Sequence, residues 1–125
     1  MTDYTPDFDP RMTSTIHRIV SGYTVLHPIS RGELVAQVKR QGFSTNERAV
    51  REAIKHLRRA GSLICSTAGT NGGYYYARHM DEYQEFRRRE MMAKAEDLLE
   101  TTRRMDRAAA NEFGEMQQVN LFGGF

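Results

Sequence analysis

The chain has 125 residues, enough for one domain with an appendage, and its 39% of hydrophobic residues predicts a modest core. Its one cysteine excludes an internal disulfide framework, and no apolar run approaches the roughly 20 residues that span a bilayer. The net charge is only +2, but residues 31–60 carry eight Lys or Arg against three Glu, and such a basic stretch would attract phosphate groups.

Residues 1–12 are predicted to be a flexible acidic segment, because they hold two prolines and three aspartates. This polar, acidic start has the character of neither a signal peptide nor a transit peptide, so we expect a cytoplasmic protein. A short helix over about residues 13–20 comes next, and Gly22 is expected to end it.

Two further helices are predicted from capping signals. Ser30 and Glu33 form a capping box, in which each side chain satisfies a backbone donor at the start of a helix. Gly42 then supplies the stop for this second helix. Ser44 and Glu47 repeat the same pattern at the start of a third helix, which a further glycine ends.

The third helix is predicted to be amphipathic. Its apolar stripe, which would face the core, comprises Val50, Ile54 and Leu57. Its opposite face is polar and mostly basic, and holds Asn46, Arg48, Arg51, Lys55, Arg58 and Arg59.

After the third helix the sequence changes to short β-favouring runs. SLICST and YYYAR flank Asn71-Gly72, which is a strong hairpin turn signal. Residues 80–113 then lack Gly and Pro and predict one long charged helix. From Met91 to Ala109 its apolar positions step by 4 and 3 residues, a weak heptad seam through which two copies could pair as a homodimer. Residues 114–125 follow as a flexible tail.

Three helices followed by a hairpin make a winged helix, a variant of the helix-turn-helix, and the linker RQGFS has the glycine-containing turn of that motif. ERAVREAIKHLRRAGSLICSTAGTNGGYYYA resembles the winged-helix DNA-binding domains of phages and bacterial mobile elements. The shared pattern is R-x-V-R-x-x-I-x-x-L-R-x-x-G, then an I-x-S strand and a G-G-Y-Y turn.

This resemblance covers residues 13–79. It implies a mainly α fold with a small β-hairpin, namely a three-helix winged helix that the long C-terminal helix follows. It also implies that the protein binds double-stranded DNA inside a bacterial host cell.

In this fold the third helix would enter the major groove, whose width of ~12 Å admits one helix. Side chains near its N-terminus are best placed for base edges, which nominates Thr45, Asn46, Arg48 and Arg51. Positions further from the bases would contact phosphates, which nominates Lys39, Arg40, Lys55 and Arg59. The tip of the wing, residues 70–73, has no basic residue and is expected to add little. Solvated helices are also often Arg-rich, so binding to a protein stays open.

Other residue types do not point to catalysis. The histidines, which lack metal-ligand spacing, are His17, His27, His56 and His79. Cys65 is expected to be a small buried residue, and Tyr74, Tyr75 and Tyr76 to alternate across a strand and pack against the first helix. AGTNGG lacks the Lys-Ser/Thr of a phosphate-binding loop. We therefore predict a non-enzymatic protein with no catalytic residue, metal site or cofactor.

The tail carries a motif. QVNLF resembles a linear motif by which bacterial replication and repair proteins dock on the β sliding clamp. That motif begins with Gln, continues usually with Leu and then Ser or Asp, and ends with Leu and Phe. Val119 departs mildly from the motif, and Asn120 is a polar substitute. By the resemblance, Leu121 and Phe122 would fill an apolar pocket while Gln118 hydrogen-bonds beside it. Alternatively, the tail folds back on the long helix or mediates self-association.

The leading interpretation is a replication accessory of a phage or mobile element that binds DNA and recruits the clamp, or another replication protein, through its tail. One alternative is a dimeric transcriptional regulator of the same fold. Another is an adaptor that captures a host protein without touching DNA. No membrane partner is expected.

Overall fold

The computed structural model describes residues 9–69 and 72–114, so the predictions for residues 1–8, 70–71 and 115–125 lie outside the described residues. The chain is mainly helical, with one two-stranded antiparallel sheet and a long C-terminal helix, as predicted. The helices are α1 (Pro10–Val20), α2 (Arg31–Arg40), α3 (Glu47–Arg59), α4 (Met80–Phe86) and α5 (Ala93–Phe113), and the strands are β1 (Ile64–Ser66) and β2 (Tyr74–Tyr76). The chain forms two compact units that divide between Phe86 and Arg87.

α1 begins earlier than the sequence predicts. The expected start is near Thr13, but the helix starts at Pro10. Asp9 caps it, because its carboxylate accepts a hydrogen bond from the Arg11 backbone N–H at 2.8 Å. Proline fits the first turn of a helix, where its missing N–H would have no partner in any case. The earlier start brings Met12, which is 2% exposed, into the core.

α2 begins at the predicted cap. Ser30 Oγ accepts a hydrogen bond from the Glu33 backbone N–H at 3.1 Å. The Glu33 carboxylate accepts a hydrogen bond from the Arg40 guanidinium at 2.7 Å, across the length of the helix. Gly42 follows the helix with φ of 98°, a left-handed conformation that favours glycine, and so supplies the predicted stop.

The predicted cap of α3 is wrong. The helix is capped by Asn46 and not by Ser44, since the Asn46 side-chain oxygen accepts a hydrogen bond from the Ala49 backbone N–H at 2.8 Å. Asparagine and serine are about equally good N-caps, so two polar residues this close together compete for the position. α3 therefore starts at Glu47 and, as predicted, ends before Gly61.

The core of the first unit lies between α1, α2, α3 and one side of the sheet. Its buried residues are Met12, Ile16, Val20, Ile29, Leu34, Val38, Val50, Ala53, Ile54, Ile64 and Tyr74. Val50 and Ile54 are thus buried as predicted, and Leu57 packs against the cluster half-buried. This packing fixes which side of α3 faces outward.

One residue before α2 also pairs with the edge of the two-stranded sheet. β1 and β2 pair antiparallel, with Ile64 opposite Tyr76. Ile29 forms an isolated antiparallel bridge to Tyr74, in which each backbone N–H donates to the other's carbonyl at 2.8 Å. Gly73 lies so close to the Ile29 carbonyl that any Cβ there would overlap it. The loop before α2 is therefore fastened to the hairpin.

The other side of the sheet packs against α4. Cys65, Tyr75, Ala77 and Phe86 form a second buried cluster. Cys65 is 1% exposed, and burial raises the pKa of its thiol, so it is the buried structural residue that the sequence predicts. On the opposite side of the sheet, the half-buried Tyr76 contacts α1 through an edge-on ring contact with His17.

The single helix predicted over residues 80–113 is divided: α4 belongs to the first unit, and the second unit contains a π-helical segment, Arg87–Met92, and α5. Neither element has a buried residue. The predicted seam starts at Met91, but the wider turn of a π-helix shifts the face on which Met91 would lie. Within α5 the seam therefore runs from Ala95 to Ala109. Among the described residues, no helix has both the length and the apolar character to cross a membrane.

Candidate nucleic-acid interface

Four basic side chains form one stripe along α3. We call them the basic stripe, and they are Arg48, Arg51, Lys55 and Arg59. All four are exposed. Steps of three and four residues place them on a single face of the helix, and the buried Val50 and Ile54 lie on the opposite face. Because α3 is anchored through its apolar side, the basic stripe is held toward solvent.

The cations of the basic stripe have no partner within the part of the chain that the structure describes. No hydrogen bond or ion pair to residues 9–69 or 72–114 engages any of the four side chains. Two acids are also exposed on α3: Glu47 lies about one helical turn from Arg51, and Glu52 lies about one turn from both Arg48 and Lys55. The four cations outnumber these two acids, so this face keeps a net positive charge that attracts phosphate.

The prediction that Arg58 lies on the exposed basic face of α3 is wrong. The side chain is half-buried, and its Nε donates a hydrogen bond to the Ile64 carbonyl at 2.8 Å. A second guanidinium nitrogen donates to the Ser66 hydroxyl at 3.3 Å, and the group lies 4.9 Å from the centre of the Phe86 ring. Arg58 therefore joins α3 to β1 and α4, and its role is to stabilise the fold.

The N-terminal end of α3 holds the residues nominated for base contacts. Asn46 already uses its side-chain oxygen as the helix cap. A paired contact to adenine uses both the oxygen and the amide nitrogen, so the Asn46 oxygen would have to accept from the base and from the Ala49 N–H at the same time. Thr45 is half-buried beside it. Arg48 and Arg51 are thus the exposed side chains best placed near this end.

The end of α2 adds two more exposed cations, Lys39 and Arg40. Arg40 forms an ion pair with Glu33, with an N–O distance of 2.7 Å and both side chains about half exposed or more. Ion pairs this exposed contribute only ~0–1 kcal/mol, so a phosphate group could displace the carboxylate. Lys39 and Arg40 therefore remain available for phosphate contacts.

A polar cleft of about 370 Å³ lies beside the start of α3. It is lined by Asp9, Arg11, Met12, Gln41, Gly42, Phe43, Ser44, Thr45 and Ala49. In it, Arg11 lies 2.8 Å from Asp9, and hydrogen bonds from Arg11 hold the pKa of the Asp9 carboxyl below its ordinary value. The sequence does not reveal this cleft, because its walls come from separate elements. Since Asp9 neutralises Arg11, the cleft adds no net charge to the basic stripe.

Within the described residues, no three His, Cys, Asp or Glu side chains are grouped to hold a metal ion. The residues of the clamp-like motif, Gln118, Leu121 and Phe122, lie outside the described range. No protein-family model matches the sequence, and comparisons with curated proteins and with solved structures gave no match. Function must therefore be inferred from the residues themselves.

Proposed function

We propose that the protein is a winged-helix protein that binds double-stranded DNA by inserting α3 into the major groove. The observation that carries this proposal is the basic stripe, four exposed cations on the side of α3 opposite the core, without a partner among the described residues. A single helix of this kind fits the major groove, and its cations would replace the counterions of the phosphates.

The architecture supports the winged-helix part of the proposal. Three helices precede an antiparallel hairpin, which is the element order of that fold. The isolated bridge between Ile29 and Tyr74 fastens the segment before α2 to this hairpin, so the three helices and the hairpin form one packed unit. Residues 41–46 join α2 to α3, and the left-handed Gly42 at their start supplies a glycine-containing turn of the kind that helix-turn-helix motifs have.

The proposal assigns different tasks along α3. Arg48 and Arg51 lie in its first half, where helix-turn-helix proteins contact base edges. Lys55 and Arg59 lie further along and would contact phosphates, as would Lys39 at the end of α2. Phosphate contacts position the protein, and contacts to base edges give any sequence preference.

The test is fluorescence anisotropy of a labelled random-sequence duplex, titrated with the full chain at several salt concentrations. We expect affinity to fall steeply with salt, and the double variant Lys55→Ala/Arg59→Ala, which removes two proposed phosphate contacts, to lower the slope of log K against log salt by about 2. The matched control, Arg18→Ala/Arg107→Ala, removes the same charge from exposed positions on α1 and α5. The control should keep the slope of the wild type.

Two results would contradict DNA binding through α3. One is the absence of binding at low salt, which would favour an adaptor that captures a protein. The other is an equal decrease of the salt slope in the α3 variant and in its matched control, which would show that the effect depends only on net charge. A defined operator bound by a stable dimer would instead favour a transcriptional regulator.

We also propose that the tail docks on a replication partner, and its motif supports the β sliding clamp. This part is tested separately, by binding of the full chain to purified clamp. Leu121→Ala/Phe122→Ala should abolish clamp binding and leave DNA binding intact. Val119→Ala/Asn120→Ala, at the two positions that fit the motif least well, is the control and should bind. Equal clamp binding by a tail-deleted chain would overturn the docking role.

A further inference from the structure

The polar cleft beside the start of α3 brings the first turn of α1 next to the turn that precedes α3. Its walls on the α1 side are Asp9, Arg11 and Met12, and Thr45 and Ala49 are among the walls on the other side. Met12 is 2% exposed, so the first turn of α1 is anchored in the core. Packing therefore fixes the place from which Arg11 extends into the cleft.

The Arg11 side chain is 84% exposed, and its guanidinium already binds an oxyanion. Its Nε lies 3.3 and 3.2 Å from the two carboxylate oxygens of Asp9, and one Nη lies 2.8 Å from the second of these oxygens. A guanidinium binds carboxylate and phosphate groups in this same forked geometry. Asp9 thus occupies the position that the oxygens of a phosphate group would take.

Asp9 also has a task that does not need the Arg11 side chain. Its Oδ1 accepts a hydrogen bond from the Arg11 backbone N–H at 2.8 Å and so caps α1. The ion pair itself is exposed, and exposed ion pairs contribute little to stability because water screens them. The guanidinium can therefore leave the carboxylate while the cap of α1 stays in place.

The cleft lies on the flank of the proposed DNA-binding face. Ala49, which lines the cleft, directly follows Arg48 of the basic stripe, and successive residues of a helix lie ~100° apart around its axis. The cleft is therefore beside the basic stripe and near the N-terminal end of α3. If α3 enters the major groove, phosphate strands run along both edges of that groove. A cation on this flank would meet a phosphate strand and not a base edge.

We infer that Arg11 is a further phosphate contact, which exchanges the Asp9 carboxylate for a phosphodiester of the duplex when DNA binds. This inference rests on the proposed function, because it needs α3 in the groove. Asp9 keeps the cleft neutral in the free chain and competes with DNA for the guanidinium. The carboxylate of Asp9 thereby limits the affinity of the protein for DNA.

The first test removes the competitor. Asp9→Asn should raise the affinity of the full chain for a random duplex at low salt by about twofold to fivefold, because asparagine keeps the cap but carries no charge. The matched control is Asp81→Asn, at an exposed aspartate in the first turn of α4 that also accepts a backbone hydrogen bond. The control should leave affinity unchanged. An equal result from the two variants would overturn the inference.

The second test removes the cation in the Asp9→Asn protein, where the guanidinium has no competitor. Adding Arg11→Ala should lower the slope of log K against log salt by about 1. Adding Arg18→Ala instead removes the same charge seven residues further along α1 and should keep the slope. Equal slopes in the two double variants would overturn the inference and leave the proposed function standing. Absence of duplex binding by the wild type at low salt would overturn both.

Nuclear magnetic resonance distinguishes DNA from a free anion as the source of the phosphate. The Arg11 Nε–H signal of the full chain, identified by its loss in Arg11→Ala, should shift when duplex is added. Inorganic phosphate at the same phosphate concentration should not shift it, because a single ion lacks the contacts that α3 makes. A shift with inorganic phosphate but not with duplex would show a site for free anions and overturn the inference. A signal unchanged by the duplex and by inorganic phosphate would show that Arg11 stays on Asp9 and would also overturn it.

Discussion

α3 and α5 are both rich in charge, but they are built in opposite ways. α3 buries Val50, Ala53 and Ile54 and exposes four cations with no partner among the described residues. α5 buries nothing, and Glu100 binds two of its arginines. The content of charge in a helix thus says little about its role. What matters is whether the helix is already anchored and whether its charges are already balanced.

The comparison assigns each helix a kind of partner. An anchored helix with an unbalanced cationic face is suited to a polyanion such as DNA. A helix with balanced charges and an uncovered apolar seam is suited to another helix with the complementary pattern. The following substitutions test this distinction, from the largest expected effect to the smallest.

Truncation of one apolar residue in each helix should give very different losses of stability. Ile54→Ala should lower the free energy of unfolding of the first unit by about 2–5 kcal/mol, because it leaves a cavity in a packed core. Leu98→Ala should leave that free energy unchanged, since Leu98 is 67% exposed and is not among the described residues that form the core of the first unit. Urea unfolding followed by tyrosine fluorescence measures both variants. Equal losses would show that α5 is part of the same cooperative core.

Two neighbouring arginines of α3 should separate folding from binding. Arg58→Ala should cost about 1.5–3 kcal/mol of unfolding free energy, because it removes hydrogen bonds of a charged group to Ile64 and Ser66. Arg59→Ala should leave stability nearly unchanged and lower the salt slope of DNA binding by about 1.

Thermal unfolding and anisotropy titrations of the same two proteins give both quantities. If Arg59→Ala destabilised the protein as much as Arg58→Ala, the basic stripe would have a structural role. If the Arg58→Ala protein stayed fully stable, the assignment of Arg58 to the fold would fail.

The cap of α3 offers a test in which charge and stability change separately. Asn46→Ala should cost about 1 kcal/mol, because the Ala49 backbone N–H loses its acceptor. Asn46→Asp should keep the stability, since aspartate caps as well as asparagine does and its charge suits a helix N-terminus. The same aspartate should weaken DNA binding, because it adds a negative charge beside the proposed contact surface. Tighter binding by Asn46→Asp would place this end of α3 away from the phosphates.

The local features of the fold could be predicted from the sequence. Gly42 and Gly61 end their helices with positive φ, as their positions after apolar runs indicate. Val50 and Ile54 are buried, as their spacing predicts. These features depend on neighbours within a turn or two of the chain, so a local pattern is enough to find them.

The incorrect predictions involve contacts between distant segments or competition between similar residues. Arg58 lies among charged residues in the sequence, and only the packing of α4 against the sheet brings Phe86 to its guanidinium. Ser44 and Asn46 are both good caps, and the path of the α2–α3 turn decides between them. The residues of the basic stripe can be identified from the sequence, but only the structure shows that these side chains have no partner among the described residues.

The smallest expected effect comes from an acid on the binding face. Glu52 is exposed about one turn from Arg48 and Lys55, where it would repel an approaching phosphate. Glu52→Gln should therefore raise the affinity for a random duplex about twofold to fivefold at low salt, the equivalent of ~0.5–1 kcal/mol for one exposed charge interaction. Glu112→Gln makes the same change on exposed α5 and should leave affinity unchanged. An equal gain in affinity from both variants would reflect net charge alone. A lower affinity of the Glu52→Gln variant would show that this face of α3 does not contact DNA.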